Sequence, residues 1–300
     1  MQVDPPTETT PPEGSAADRA ADVVLRGLIG GLLRVPYDRR VPLMGAAMRR
    51  LVGPVAGYTR RAEANLARVW PEMPEAERRA LAQASLDNAG RTLIENYSWR
   101  EFGARLSEVA PEGPGVAALE RAVAEGRPVL FVTGHFGNHE APRQVLTRLG
   151  HEIGGLYRPA RNAYFNAHYE RTMTDWGGPV FAQGKRGTLG FVKHLKRGGF
   201  GTLLFDVRAK GPALDFLGHP AHTALSAAEI ATRVGAVVIP YFGIRQPDGL
   251  SFRVVLEEPI AQDAPRAMME EMTRRLEAQI RANPAQWFWV HRRWKRRGDG

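Results

Sequence analysis

The residues best suited to do chemistry lie in Val129-Leu-Phe-Val-Thr-Gly-His-Phe-Gly-Asn-His-Glu140, where an apolar run breaks at Gly134 and delivers His135 and, five positions on, Glu140. A carboxylate beside an imidazole holds one tautomer and supports the imidazolium formed when the ring takes a proton from a hydroxyl. The expected chemistry is therefore general-base activation of an alcohol by His135, with Glu140 as its support. In a regular helix a step of five residues turns the side chain through roughly 140°, so the two groups cannot face each other on one helix. The chain must bend between them. Gly134 and Gly137 take unusual backbone angles at low cost, Asn138 is a good N-cap for a helix starting near His139, and Pro142 fits a first helical turn. The plainer alternative is a buried histidine at a strand end, satisfied by a carboxylate for packing alone.

The elements that must position these groups alternate. After a Pro-, Thr- and Glu-rich leader over 1–17, Leu25, Leu28, Ile29, Leu32 and Leu33 recur at helical spacing beside Arg26 and Arg34, and Leu43-Met-Gly-Ala-Ala-Met48 runs into Arg49 and Arg50. Such short basic amphipathic segments suit a membrane interface, or a helix packing its stripe on the protein's own core. More helix is predicted over 60–105, broken at Pro71 and Pro74, and 110–115 reads as a linker. This divides the chain into a leader (1–17), an N-terminal helical region (18–110) and an α/β core with a basic, aromatic C-terminal segment (111–300). Strands are predicted over 128–133, 151–157, 180–182, 201–206, 236–243 and 251–257. Helices are predicted over 116–124, 139–149, 163–176, 187–196, 224–234 and 264–282. That order implies a mixed, largely parallel sheet flanked by helices, with chemistry at strand ends, where His135 and Asp206 fall.

The 300 residues carry a formal charge of +9, with 43% hydrophobic content and no cysteine. The balance favours anionic partners and excludes disulfides, thiol nucleophiles and cysteine zinc sites. No run reaches the ~18 uncharged apolar residues of a spanning helix, and the acidic start is unlike a secretory signal. Hydrolase elbows, Walker loops and dinucleotide glycine fingerprints are absent from the strand-to-helix turns.

Tyr157-Arg-Pro-Ala-Arg-Asn162 places Arg158 and Arg161 in a loop after a strand, where a guanidinium can hold a phosphate or a developing oxyanion; a solvated loop arginine is the bland reading. Asp206 is either a third polar member of the site or the cap of a turn. Thr223, closing Phe216-Leu-Gly-His-Pro-Ala-His-Thr223, is placed to cap the helix over 224–234. His135, His139 and Glu140 mimic a zinc site by spacing, but the Gly137 break argues against one, and no metal is expected. Trp287-Phe-Trp-Val-His-Arg-Arg-Trp-Lys-Arg-Arg297 interleaves aromatics with cations, which suits an anionic lipid surface and also single-stranded nucleic acid.

Together, GHFGNHE at 134–140, YRPARN at 157–162, FLGHPAHT at 216–223 and WFWVHRRWK at 287–295 resemble the lipid A biosynthesis late acyltransferases, the lauroyl/myristoyl acyltransferase family. The resemblance implies a glycerolipid-acyltransferase-like α/β core with an N-terminal helical membrane-associating region, peripheral or monotopic on the cytoplasmic face of the bacterial inner membrane. It implies a His-x4-Glu dyad of His135 and Glu140. Arg158, Arg161, Asn162, Asp206 and Thr223 become substrate contacts, and the loop of Gly134 and Gly137 supplies oxyanion N–H groups. It implies an acyl carrier protein or acyl-coenzyme A donor, an anionic glycolipid or phospholipid acceptor, no cofactor, and no nucleic acid. The chain departs from the family at His139, where Trp is common, at Val207, where Gln is common, and in lacking a long N-terminal anchor. These departures leave room for an aminolipid or other lipid acceptor, or for a non-catalytic lipid-binding relative.

Overall fold

The computed structural model describes residues 14–175 and 177–295; the leader over 1–13, Trp176 and the last basic residues from 296 lie outside them. Helices lead the chain: α1 (Ala16–Leu32), α2 (Tyr37–Ala47), a π-helical turn (Met48–Val52), α3 (Gly53–Val55), α4 (Tyr58–Val69), α5 (Glu75–Tyr97) and α6 (Trp99–Arg105). Ser15 caps α1 through a reciprocal box with Asp18. The rest alternates: β1 (Pro111–Glu112), α7 (Gly115–Ala124), β2 (Val129–Thr133), α8 (Glu140–Arg148), β3 (Ile153–Tyr157), α9 (Ala163–Asp175), β4 (Val180–Ala182), α10 (Lys185–Lys196) and β5 (Phe200–Leu204). It closes with β6 (Ala213–Phe216), β7 (His219–His222), α11 (Ser226–Val234), β8 (Val237–Arg245), β9 (Phe252–Leu256) and α12 (Pro265–Ala282).

Among the described residues seven strands form one sheet in the order β1-β9-β8-β2-β5-β3-β4. Every described pairing in it is parallel except β8 with β9. The sheet is thus α/β and mostly parallel, as the alternation of elements predicts. All five residues of β2 are buried, because helices cover both faces. Leu130 and Val132 point into a core shared with α10, α11 and α12; Val129 and Phe131 point into the opposite core with α2, α7 and α8. The N-terminal helices join these same cores, Ala62, Leu66 and Ala82 on the first face and Ile29, Val41, Met44 and Ile94 on the second.

Three expectations change. The predicted linker over 110–115 contains β1, which pairs with β9, so it is an edge strand of the sheet. The stretch after Asp206, which falls outside the predicted strands, folds into the β6–β7 hairpin, turned by Leu217 (φ 54°) and Gly218 (φ 81°), the two left-handed residues that a tight hairpin turn needs. The C-terminal aromatics are core and not a surface belt: Trp287 and Trp289 are fully buried and Trp294 is 6% exposed. Their indole N–H groups donate to Asp206, to the Pro284 carbonyl and to the Phe216 carbonyl. Rings so enclosed present no face to a headgroup or a base.

Candidate active site

Strand register brings the site together. Thr133 of β2 lies opposite Leu204 of β5 in a parallel pair, so the residues two positions beyond each, His135 and Asp206, leave the sheet side by side. The His135 Nδ1–H donates to Asp206 Oδ1 at 2.8 Å, and the His135 backbone N–H donates to Asp206 Oδ2 at 2.8 Å. Asp206 is fully buried and also accepts from Trp287 Nε1 at 2.9 Å. Burial alone would raise its carboxyl, but the His135 charge and hydrogen bonds, with the charge of His291, hold it well below the usual carboxylate range. An anionic acceptor on Nδ1 sets the tautomer whose Nε2 carries the lone pair. That nitrogen has no hydrogen-bond partner among the described residues, and the His135 side chain is 34% exposed.

Glu140 therefore does not supply the hydrogen bond at Nδ1 that its spacing suggests. It opens α8, its backbone N–H donating to the Asn138 side chain at 3.0 Å. The N-cap position of α8 is His139, so Asn138 sits one residue before it and turns the chain into the helix through this side-chain bond. The Glu140 carboxylate lies 3.5 Å from Arg143 Nη1 and 3.8 Å from His139 Nε2. Burial raises its pKa, and the charge of Arg143 opposes the rise. Its Oε2 is buried and accepts no hydrogen bond, and its side chain faces the same cavity as His135.

The loop between them is pinned by backbone. Gly137 (φ 56°) donates its N–H to the Gln286 carbonyl and Asn138 donates to the Gly243 carbonyl. The Phe136 N–H donates to the Gly134 carbonyl. With the His135 N–H on Asp206, the N–H groups of residues 135–138 are all engaged, so the Gly137 N–H is not free to serve the oxyanion as expected of the glycine loop. A Cβ on residue 137 would lie 1.9 Å from the Gly243 oxygen. Gly137→Ala is accordingly expected to cost about 2–4 kcal/mol from left-handed strain and the clash together; a urea midpoint unchanged from wild type would contradict the pinning.

Two histidines that the sequence reading left without a role crowd the His135 ring. The His291 ring centroid is 4.5 Å and that of His139 5.6 Å from His135. Both are pushed down to about 3, first by burial and then by the His135 charge. In the unfolded chain each titrates near 6.5, so as pH falls below that value the unfolded state binds protons that the folded state refuses, and stability falls toward pH 3. Glu140, raised by burial, acts in the opposite sense, contributing stability at low pH that is lost on ionisation. His291→Gln is expected to flatten the decline of unfolding free energy between pH 6.5 and 4.5 by up to about 1.4 kcal/mol per pH unit; denaturant titrations of both proteins across that range measure it.

The C-terminal segment completes the site: the Phe288 N–H donates to the His135 carbonyl at 3.0 Å, beside the Trp287 bond to Asp206. The ligand atoms of His135, Asp206 and His291 lie within 4.8 Å of one another, the one metal-like grouping among the described residues, and the Asp206 oxygens already accept from His135 and Trp287. Of the other expected contacts, Arg158 lines the cavity of about 310 Å³ that His135 faces, with Leu156, Met173, Val180 and Leu203 among its apolar walls. Arg161 is exposed and does not line it. Asn162 accepts from the Phe165 N–H at the start of α9 and donates to the Asp18 carbonyl. Thr223 is buried under Arg293, donating to the Ala221 carbonyl, and does not cap α11. A second cavity of about 190 Å³ reaches His135 from the α5 side, lined by Ala89, Leu93, Tyr169 and Phe288.

The family model for bacterial lipid A biosynthesis acyltransferases matches residues 20–296. The chain belongs to that family. This acyltransferase is 26% identical over 251 residues to the lipid A biosynthesis lauroyltransferase of Escherichia coli, covering 79% of this chain and 78% of that protein. It is 23% identical over 292 residues to the lipid A biosynthesis myristoyltransferase of the same organism, covering 91% and 86%. It is also 23% identical over 283 residues to lipid A biosynthesis acyltransferase 2 of Shigella flexneri, covering 88% and 86%. Family membership makes it an O-acyltransferase, and an imidazole with a fixed tautomer beside an apolar cavity is what such chemistry needs.

Proposed function

We propose that this acyltransferase moves a fatty acyl chain from a carrier protein or coenzyme A thioester to a hydroxyl of a lipid A precursor at a membrane surface, with His135 as general base. The observation that carries this is His135 Nδ1 on buried Asp206 at 2.8 Å, with Nε2 open to the cavity. The acceptor hydroxyl gives its proton to Nε2 while its oxygen attacks the thioester carbonyl. The tetrahedral intermediate then collapses, breaking the C–S bond, and the imidazolium returns the proton to the departing thiolate. Asp206 supports the imidazolium directly. Glu140, in the same cavity, adds negative charge and tethers Arg143; Arg158, whose guanidinium forms no ion pair among the described residues, meets the oxyanion or a substrate phosphate.

Membrane-surface action is supported by where apolar side chains remain outside. Val23, Val24, Leu33, Leu43, Leu51 and Val55 are all exposed, interleaved with Arg26, Arg34, Arg49 and Arg50. No helix among the described residues is long and apolar enough to cross a membrane. The sequence alternatives of an aminolipid acceptor or a non-catalytic lipid binder are decided by one assay. Purified protein is mixed with labelled acyl thioester and either a lipid A precursor or an aminolipid, and products are read by mass spectrometry. A gain of one acyl chain on the precursor, absent with His135→Ala, is the expected result; gain on the aminolipid alone, or on neither acceptor, refutes the proposal.

A further inference from the structure

Helix α10 and the strand before it stand beside the cavity that His135 faces. Gln183, at the end of β4, lines that cavity; the next residues, Gly184 and Lys185, open a separate groove of about 410 Å³ floored by Thr188, Leu189, Val192 and Arg233. From Lys185 to Arg197 the chain carries Lys185, Arg186, Lys193, Lys196 and Arg197 and not one acidic residue. All five are exposed, as is Arg233 of α11, and none of the six enters an ion pair among the described residues, whereas most arginines on α5 and α12 pair with a neighbouring acid. Leu189, 52% exposed, sits among them.

A row of unpaired cations repels itself, and an exposed leucine within it adds an apolar cost. Both costs are relieved by a partner of opposite charge with an apolar spot of its own. We infer that the α10 face, with Arg233 of α11, is the docking surface for an acidic protein that bears the acyl thioester on a flexible arm, the arm entering the His135 cavity past Gln183. This rests on the acyl-transfer reading of the site and names which form of donor that site is built to accept. The geometry favours a protein over a lipid surface here, because the apolar side chains that interleave with arginines cluster on residues 23–55, while the cavity past Gln183 leads to the base. The α5-side cavity then remains for the acceptor.

The test is a charge reversal of residues on this face outside the catalytic set, Lys185→Glu/Lys193→Glu/Arg233→Glu, in the full chain. Binding of acyl carrier protein is measured directly by calorimetry, without turnover, and transfer is measured with acyl carrier protein and with acyl-coenzyme A as donors. The expected result is at least about a tenfold weaker carrier affinity and an equally raised KM for the carrier-borne donor, with strong salt dependence in the wild type and kcat from acyl-coenzyme A unchanged. Carrier affinity and KM within twofold of wild type overturn the assignment, as does a wild-type protein that transfers from coenzyme A and binds no carrier. Loss of binding to anionic vesicles with carrier affinity intact assigns the face to lipid and equally overturns it. Wild-type protein that binds carrier through these residues but transfers from neither donor separates failure of the acyl-transfer reading from failure of this one.

Discussion

Asp206→Asn is expected to lower kcat for acyl transfer on the order of 10³-fold or more, and Glu140→Gln only about tenfold, as judged by the cost of corrupting the carboxylate that orients a catalytic imidazole. An amide at 206 keeps the shape but offers an N–H where His135 Nδ1–H and Trp287 Nε1–H both need an acceptor, so the ring turns or takes the wrong tautomer. Glu140 accepts no hydrogen bond at Oε2 and neighbours Arg143 at 3.5 Å, so its amide removes charge from the cavity without touching the tautomer. The readout that separates catalysis from folding is kcat set beside the circular dichroism spectrum of each variant. With Asp206 anionic far below its ordinary range, Asp206→Asn should lose its rate while circular dichroism stays native. Equal losses in the two variants, or a larger one for Glu140→Gln, would return the supporting role to Glu140.

The largest effect on stability is expected from Glu95. Arg245 of β8 holds it through two bonds, Nη1 to Oε1 at 2.5 Å and Nη2 to Oε2 at 2.8 Å, while Arg245 Nε donates to Asn88 at 2.7 Å. Glu95 is fully buried and also accepts from Asn138 Nδ2 at 2.8 Å, and Asn138 in turn receives the Glu140 N–H that begins α8. One carboxylate in α5 thus anchors both a guanidinium in the sheet and the loop that follows His135. Glu95→Ala strands Arg245 and is expected to cost about 3–5 kcal/mol, because a buried charge without its partner bears its full desolvation cost. Glu95→Leu/Arg245→Met should recover much of that stability, since the pair as a whole contributes little beyond what apolar packing offers. Activity should not recover with it, because Asn138 still lacks its partner. Chemical denaturation together with steady-state rates tests both halves; a Glu95→Ala cost below about 1 kcal/mol would mean that the pair is not the anchor.

Much of this molecule is legible in the order of residue types. Apolar runs at 128–133, 201–206 and 236–243 set between helical stretches specify a covered parallel sheet, because only strands buried on both faces are apolar at consecutive positions. Gly137 and Asn138 mark the bend at which β2 gives way to α8, and the structure uses both, although the N-cap position falls on His139. His135 is found the same way, as a polar group at the end of an apolar strand. Readings based on composition fared worse where burial decides: the tryptophans from Trp287 onward look like a membrane belt in one dimension and are core in three.

What the tertiary structure alone decided is which carboxylate serves the imidazole. Along the chain the near acid is Glu140, but a sheet ranks neighbours by strand pairing, and β5 lies against β2 in a register that sets Thr133 opposite Leu204. That pairing places Asp206, 71 residues away, on His135 Nδ1, and it allows Trp287 and His291 to close over the pair. Short-range spacing determines where a chain bends and which groups it exposes at the bend. The partner each group finds depends on long-range registry, which arises when two strands exchange backbone hydrogen bonds and bury their apolar faces together.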